Sequence, residues 1–210
     1  MPIAPAAWTS PDRGALFVVT GASGTGKTTL VKAALDAIPS LRWSVSATTR
    51  PPRKGEVDGR DYHFVSHERF AEQLSAGGML EWAEVYGNRY GTPRGPVDAA
   101  LAAGDSILLE IDLQGARQVK AAAPEAILLF VLPPSIDALE QRLRGRATDS
   151  EDVIARRVQD ARLQLEGVGE FDYLVVNDVL DHAHDRFQAV LMAELLRRER
   201  HPSLVAGFGG

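Results

Sequence analysis

No cysteine occurs among the 210 residues. Disulfides, zinc–thiolate sites and a thiol nucleophile are therefore excluded, and a reducing compartment suits the chain. No apolar run approaches the roughly 20 residues needed to cross a bilayer as a helix. Positive charge is not in excess either. Lys and Arg number 23 against 28 Asp and Glu, a net charge of −5, which argues against a general nucleic-acid binder. The opening stretch MPIAPAAWTSPD has neither a basic start nor an apolar core, so it does not read as a signal peptide. Its three prolines indicate a loose extension through Arg13. Internal repeats and low-complexity tracts are also missing. What is present is ordinary for a globular protein, 45% hydrophobic and 24% charged residues. The length suits one α/β domain with small insertions. A cytoplasmic enzyme is the expectation.

Periodicity predicts the elements. Residues 16–20 read as a buried strand and 27–38 as a helix ending before Pro39. Residues 43–49 read as one further strand, and 50–61, rich in Pro, Gly and charge, as a loop. Then come a short strand at 62–65, a helix at 66–77 and a strand at 80–85. YGNRYGTP has turn chemistry. This cluster of short elements predicts a small mixed α/β insert. The main pattern resumes with a helix at 96–103, a strand at 106–111 and a helix at 116–122. The almost wholly apolar 126–132 suits a parallel strand covered on both faces. Helices follow at 135–144 and 149–165, the second opened by a capping-box-like Thr148-Asp149-Ser150-Glu151. A strand at 173–176, an amphipathic helix at 184–198 and a frayed tail complete the chain. Strand and helix alternate in the first and last thirds, which predicts a doubly wound parallel sheet.

Gly21-Ala22-Ser23-Gly24-Thr25-Gly26-Lys27-Thr28 matches G-x-x-x-x-G-K-[ST] in full. Glycines at these spacings let successive backbone N–H groups converge on phosphate oxygens at a helix N-terminus. Lys27 can then reach the β- and γ-phosphates of a nucleoside triphosphate, and Thr28 can ligate Mg²⁺. A bare Gly-rich turn is the bland alternative, but the strand before and the helix after the motif argue against it. SILLEIDLQG adds Glu110 and Asp112, two carboxylates at i and i+2 that would share one face of a strand. One of them could meet the metal through water; solvated caps at an exposed strand end are the other reading. The motif leaves the phosphoryl acceptor open.

SATTRPPRKGEVDGRDYHF supplies Ser46, Arg50, Arg53 and Tyr62, which could converge on one dianion because arginine forks bind phosphate bidentately. An Arg-rich loop is also commonly just a solvated surface. QRLRGRATDSEDVIARRV places Arg142 and Arg146 four apart, with Arg157 on the next helix. Such a helix pair could form a lid carrying positive charge to a transferring phosphoryl group. It could equally be a basic helix surface.

Taken in order, GASGTGKTTL, VSATTRPPRKGEVDGRDYHFVS, LEWAEVYGNRYGTP, LLEIDLQGARQVK, FVLPPS, RLRGRATDSE and VVND resemble guanylate kinase, of the nucleoside-monophosphate kinase group of P-loop kinases. The resemblance runs from about Gly14 to Leu196. It implies a P-loop core with a parallel five-stranded sheet, a GMP-binding insert and a helical lid, transferring the γ-phosphoryl of ATP to GMP with Mg²⁺. The implied division is a loose extension over 1–13, a core over 14–45, 95–138 and 168–198, a GMP region over 46–94 and a lid over 139–167. The resemblance assigns Gly21 to Thr29 and Asn177 to ATP, and Lys27, Arg142, Arg146 and Arg157 to catalysis. It assigns Ser46, Arg50, Arg53, Tyr62 and Tyr90 to the GMP phosphate, and Glu81, Thr92 and Asp112 to guanine, beside Glu110. Glu110 stands where the family pattern has Asp, a change the family also tolerates, and the extension through Arg13 matches nothing.

The chemistry of guanine agrees. A carboxylate such as Glu81 can accept from N1–H and N2–H₂ together, Asp112 from a second N2 proton, and the Thr92 hydroxyl can donate to O6. Adenine would leave such carboxylates unpaired. The phosphate of GMP is already a nucleophile at neutral pH, so none of the five histidines is assigned to catalysis. The expected partners are ATP and GMP, with no nucleic acid and no membrane; monomer and homo-oligomer both stay open. Rival readings are a kinase for another nucleoside monophosphate, a non-catalytic module of the same fold, and a nucleotide-dependent switch.

Overall fold

A computed structural model describes residues 11–145 and 150–208. Strand β1 (Leu16–Thr20) carries LFVVT and is buried along its whole length. It lies at the centre of a five-stranded sheet, paired in parallel with β7 (Ser106–Glu110) on one side and β8 (Ile127–Leu132) on the other. β2 (Leu41–Trp43) and β9 (Tyr173–Val176) add parallel edges, giving the order β2-β7-β1-β8-β9. Alternate residues of β1 face opposite sides, as strand geometry requires. Phe17 and Val19 pack with Leu108, Leu129 and Val131 against helices α1 (Lys27–Ala37) and α7 (Leu180–Leu195). Leu16 and Val18 pack with Ile107, Leu109 and Leu128 against α3 (Arg94–Ala102) and α4 (Leu113–Ala122). Both faces of the sheet are thus covered, which is why its strands read as unbroken apolar runs.

A second, four-stranded mixed sheet has the order β4-β3-β6-β5. Its members are β3 (Ala47–Thr48), β4 (His63–Phe64), β5 (Met79–Val85) and β6 (Asn88–Pro93). Helix α2 (His67–Ser75) starts at Ser66, whose hydroxyl accepts the Arg69 N–H, and its buried Phe70 packs with Ala47 and Met79. Helices α5 (Ile136–Arg144) and α6 (Glu151–Glu166) pack against each other and against Ala22 of the first loop through Leu139, Leu143, Ile154 and Ala161.

The structure corrects several expectations. Residues 43–49 are not one strand. The Ser44 N–H makes a last bond to Leu108 O, and the chain then leaves for the other sheet, so β2 and β3 belong to different sheets. No Gly or Pro marks that exit, and alternation at period two is the same in both sheets. In YGNRYGTP only Tyr86 and Gly87 turn, both with positive φ (51° and 77°), while Asn88 onward is strand paired to β5. That two-residue hairpin matches the right-handed twist of the flanking strands. β7 ends at Glu110, and Asp112 is the N-cap of α4, its carboxylate accepting the Gly115 N–H at 2.8 Å. Glu110 and Asp112 therefore do not share a strand face; α4 begins three residues before the predicted helix because of this cap. Helix α7 likewise starts earlier than predicted, at Leu180.

The tail and the approach to β1 are held together rather than loose. The Asp12 N–H bonds Arg200 O at 2.8 Å, and Arg200 Nη1 donates to Gly14 O at 2.8 Å. Helix α8 (Pro202–Phe208) occupies the stretch expected to fray, with the Ser203 N–H on the Asp12 carboxylate. Residues 1–10, the rest of the expected extension, lie outside the described residues.

Candidate active site

The phosphate loop links the end of β1 to the start of α1. Gly26 sits at φ 89°, and a Cβ there would lie 2.3 Å from Asn177 Nδ2; Gly21, at φ 147°, leaves the same clearance to Val131 O. Neither position admits a side chain. Gly26 is also the N-cap of α1 and makes no side-chain cap, so the first N–H groups of the helix are left for an anion. Thr25 is buried, its hydroxyl on Ala22 O at 2.9 Å. The Lys27 ammonium curls onto the carbonyls of Gly21 and Ala22, 3.0 Å from the latter. Ser23, Thr28 and Thr29 are exposed, and Gly24 packs close to Leu139 and Leu143. The Thr28 hydroxyl donates to Glu110 at 2.9 Å, joining α1 to the end of the neighbouring strand.

A second group forms where β5 and β6 meet α4. Glu81 and Thr92 are register partners, both buried, and the Thr92 hydroxyl donates to the Glu81 carboxylate at 2.7 Å. Gly115 leaves room for this carboxylate, since a Cβ there would stand 3.1 Å from Glu81 Oε2. Burial raises the Glu81 pKa above its ordinary value; the Thr92 bond opposes this, and the charge of Asp112 adds to it. The sequence predicts that Thr92 donates to a guanine O6. Its one proton is engaged with Glu81 here, so that donation requires the bond to switch, while its lone pairs stay available.

Arg50 lies against the rings of Tyr62 and Phe64, 5.4 Å and 5.8 Å from their centroids, and Tyr62 meets Tyr90 edge-on at 6.1 Å. Arg50, Tyr62 and Tyr90 are thus brought together. Ser46 holds β4 through its carbonyl, which accepts the His63 N–H at 2.9 Å. Arg53 is exposed, with its backbone N–H on Glu56.

The third group involves the two-helix segment. Arg142 Nη2 donates to Asn177 O at 2.9 Å. Asn177 is buried, with Nδ2 on Thr25 O at 2.7 Å, so its amide donor braces the phosphate loop rather than lying open to a base. A buried amide needs such a partner. Arg157 lies half-buried on α6. Arg146 and the capping-box residues Thr148 and Asp149 lie outside the described residues, and Ser150 makes no side-chain cap.

Two residues escaped the sequence reading. Gln118 on α4 accepts the Trp82 N–H and donates to Trp82 O, both at 3.0 Å, tying the residue after Glu81 to the core. A lone polar residue on a helix face gives no advance sign of this. Glu56 pairs with Arg50; its signal was an acid within a basic loop, six residues on. Replacing Gln118 by Ala is expected to lower stability by about 1–3 kcal/mol, since two part-buried bonds are lost. It should also weaken the site around Glu81 while the phosphate loop stays intact. Urea denaturation and separate titrations of the two substrates measure both effects.

Among the described residues no helix is long and apolar enough to cross a membrane. The family described as Guanylate kinase has a sequence model that matches residues 13–194. A guanylate kinase of Rhodopseudomonas palustris is 49% identical over 94% of this chain and 90% of its own length. One from Desulfitobacterium hafniense is 47% identical over 93% and 98% respectively. The crystal structure of guanylate kinase from Anaplasma phagocytophilum superposes with a TM-score of 0.70 at 32% identity, covering 93% of this chain and 94% of that one.

Proposed function

The chain belongs to the guanylate kinase family, and from that premise we propose how its residues carry the γ-phosphoryl group of ATP to GMP. It is an ATP:GMP phosphotransferase, a nucleoside-monophosphate kinase. One observation carries the choice of acceptor: a buried Glu81 carboxylate, held by Thr92 and raised in pKa by burial and the charge of Asp112, in a chain that also has the full phosphate-loop motif. An acceptor-only group in a buried site favours a base edge made of donors, which guanine has at N1 and N2.

In the proposed mechanism the N-terminus of α1 and the loop amides of residues 21–27 bind the β- and γ-phosphates of ATP. The Lys27 ammonium leaves the Gly21 and Ala22 carbonyls for the phosphate oxygens. Arg50, Arg53, Tyr62, Tyr90 and Ser46 hold the GMP phosphate, and Glu81, Thr92 and Asp112 hold guanine. The bound GMP phosphate is a dianion and attacks without a general base, so the residues act by alignment and charge neutralisation. Arg142, Arg146 and Arg157 are proposed to neutralise charge on the group in transfer. Asn177 serves the ATP side by fixing the loop through Thr25 and Arg142 through its carbonyl.

Mg²⁺ is the proposed cofactor; when bound it would neutralise negative charge on the phosphoryl group in transfer. Thr28 and Glu110 fit it, being oxygen donors already 2.9 Å apart at the mouth of the loop. Among the described residues no three carboxylates or imidazoles gather, which suits an ion held mainly by substrate phosphates and water. Asp112, committed to capping α4, is less suited than Glu110. The division into a core, a GMP-binding region at 46–94 and a lid at 139–167 is part of the same proposal. So is a cytoplasmic place, where both nucleotides are available.

Release of ADP measured with GMP, AMP, UMP and dTMP in turn tests the acceptor. GMP should exceed each of the others by at least about tenfold, as hydrogen-bonded base reading implies. A comparable rate with AMP would overturn the assignment of Glu81. ATP hydrolysis that needs no acceptor would instead indicate a switch.

A further inference from the structure

We propose that Glu56 is a positioning residue for the acceptor phosphate: it grips one edge of the Arg50 guanidinium and thereby turns the other edge to the phosphate. Arg50 has five N–H donors in a rigid plane. Nη1 donates to Glu56 Oε2 at 2.9 Å and to Pro51 O at 2.8 Å, and Nη2 donates to Glu56 Oε1 at 2.9 Å. The end of the fork is therefore taken. Nε is buried and has no hydrogen-bond partner. Nε–H and the outer Nη2 proton run parallel along the flank, the same bidentate spacing that suits a phosphate. Beyond Glu56, the main cause, the Tyr90 hydroxyl lies near enough to raise the Arg50 pKa, so a second expected phosphate ligand stands in the same neighbourhood. The rings of Tyr62 and Phe64 hold the plane from the side.

Glu56 is itself held. Oε2 also accepts the Arg53 N–H at 2.6 Å, so the carboxylate joins the two arginines of the loop. The Arg50 bond, then the Arg53 N–H, keeps the Glu56 pKa below its ordinary value, so it stays ionised at neutral pH. A buried Nε–H left without a partner is costly unless a ligand completes it. That cost is relieved when the phosphate arrives, which favours a phosphorylated acceptor over a bare nucleoside. Glu56 touches no reacting atom in this scheme and acts only through Arg50.

The proposal rests on Arg50 being a ligand of the GMP phosphate, and the test separates the two. Calorimetric titrations with GMP, guanosine and ATP are made on the parent chain, Glu56→Gln, Arg50→Ala and the double variant. Glu56→Gln keeps the size of the side chain, and its ATP affinity reports whether the fold is intact. The expected result is a roughly tenfold loss of GMP affinity, with guanosine and ATP unchanged. In the Arg50→Ala background, Glu56→Gln should have no further effect. Tighter GMP binding in Glu56→Gln would overturn the proposal, since Glu56 would then be a competitor for Arg50. An equal loss for guanosine would also overturn it, pointing to a general role in the loop. If Arg50→Ala left GMP binding unchanged, the reading of Arg50 would fall and this proposal with it. If Arg50→Ala weakened GMP and Glu56→Gln did not, only the role of Glu56 would fall.

Discussion

Lys27→Ala is expected to lower kcat by roughly a thousandfold or more, the range seen when a charge that stabilises a transferring group is removed. The ammonium stands inside the loop, on the carbonyls of Gly21 and Ala22, where ATP phosphates would replace them as partners. No other ammonium lies in this loop, and the helix N-terminus alone offers only partial charge. The effect should fall on ATP, in both affinity and turnover. GMP affinity should be unaltered, because its proposed ligands lie on the mixed sheet, in the segments flanking β3 and β4, and at the N-cap of α4. Steady-state kinetics with each substrate varied separately measures this. Turnover within about tenfold of the parent would remove Lys27 from the mechanism.

Glu81→Gln should lower kcat/KM for GMP by roughly a hundredfold, the equivalent of a hydrogen bond between a charged acceptor and a buried donor. The amide is isosteric but presents N–H₂ where guanine also presents donors. ATP affinity should not change. The free protein carries a second signature. Burial raises the Glu81 pKa, so the folded chain holds this proton more tightly than the unfolded chain does. Its contribution therefore favours folding most below the ordinary glutamate pKa and fades as pH rises through the folded value. Glutamine does not titrate. The stability of Glu81→Gln relative to the parent should accordingly increase from acid towards neutral pH in urea unfolding. Equal GMP kinetics in parent and variant would dismiss Glu81 as the base reader. A pH-independent stability difference would dismiss the buried-charge account without touching the kinetics.

Much of this protein can be read along the chain, and particular residues show why. β1, the phosphate loop and α1 were legible together because glycine spacing, an apolar run and helical periodicity are all local signals. β8 was legible for the same reason, as residues 126–132 admit little else. The break between β2 and β3 was not, because strands in both sheets alternate with the same period and only the pairing partner differs. The role of Asp112 was misread as a strand position, since a carboxylate after a strand serves equally as its last residue or as the next helix cap. Gln118 was invisible because its partner, Trp82, lies 36 residues away.

By itself, then, the sequence determined that this chain carries a complete phosphate-loop motif, that its core is a parallel sheet covered on both faces, and, through ordered motifs, which family it resembles. Those conclusions depend on residues close together in the chain. Only the tertiary structure decided which polar groups satisfy one another: Thr92 with Glu81, Thr28 with Glu110, Asn177 with Thr25, and Glu56 with Arg50. Each of these bonds joins groups that the fold buries or aims, and a buried donor or acceptor takes its partner from whatever the packing brings near.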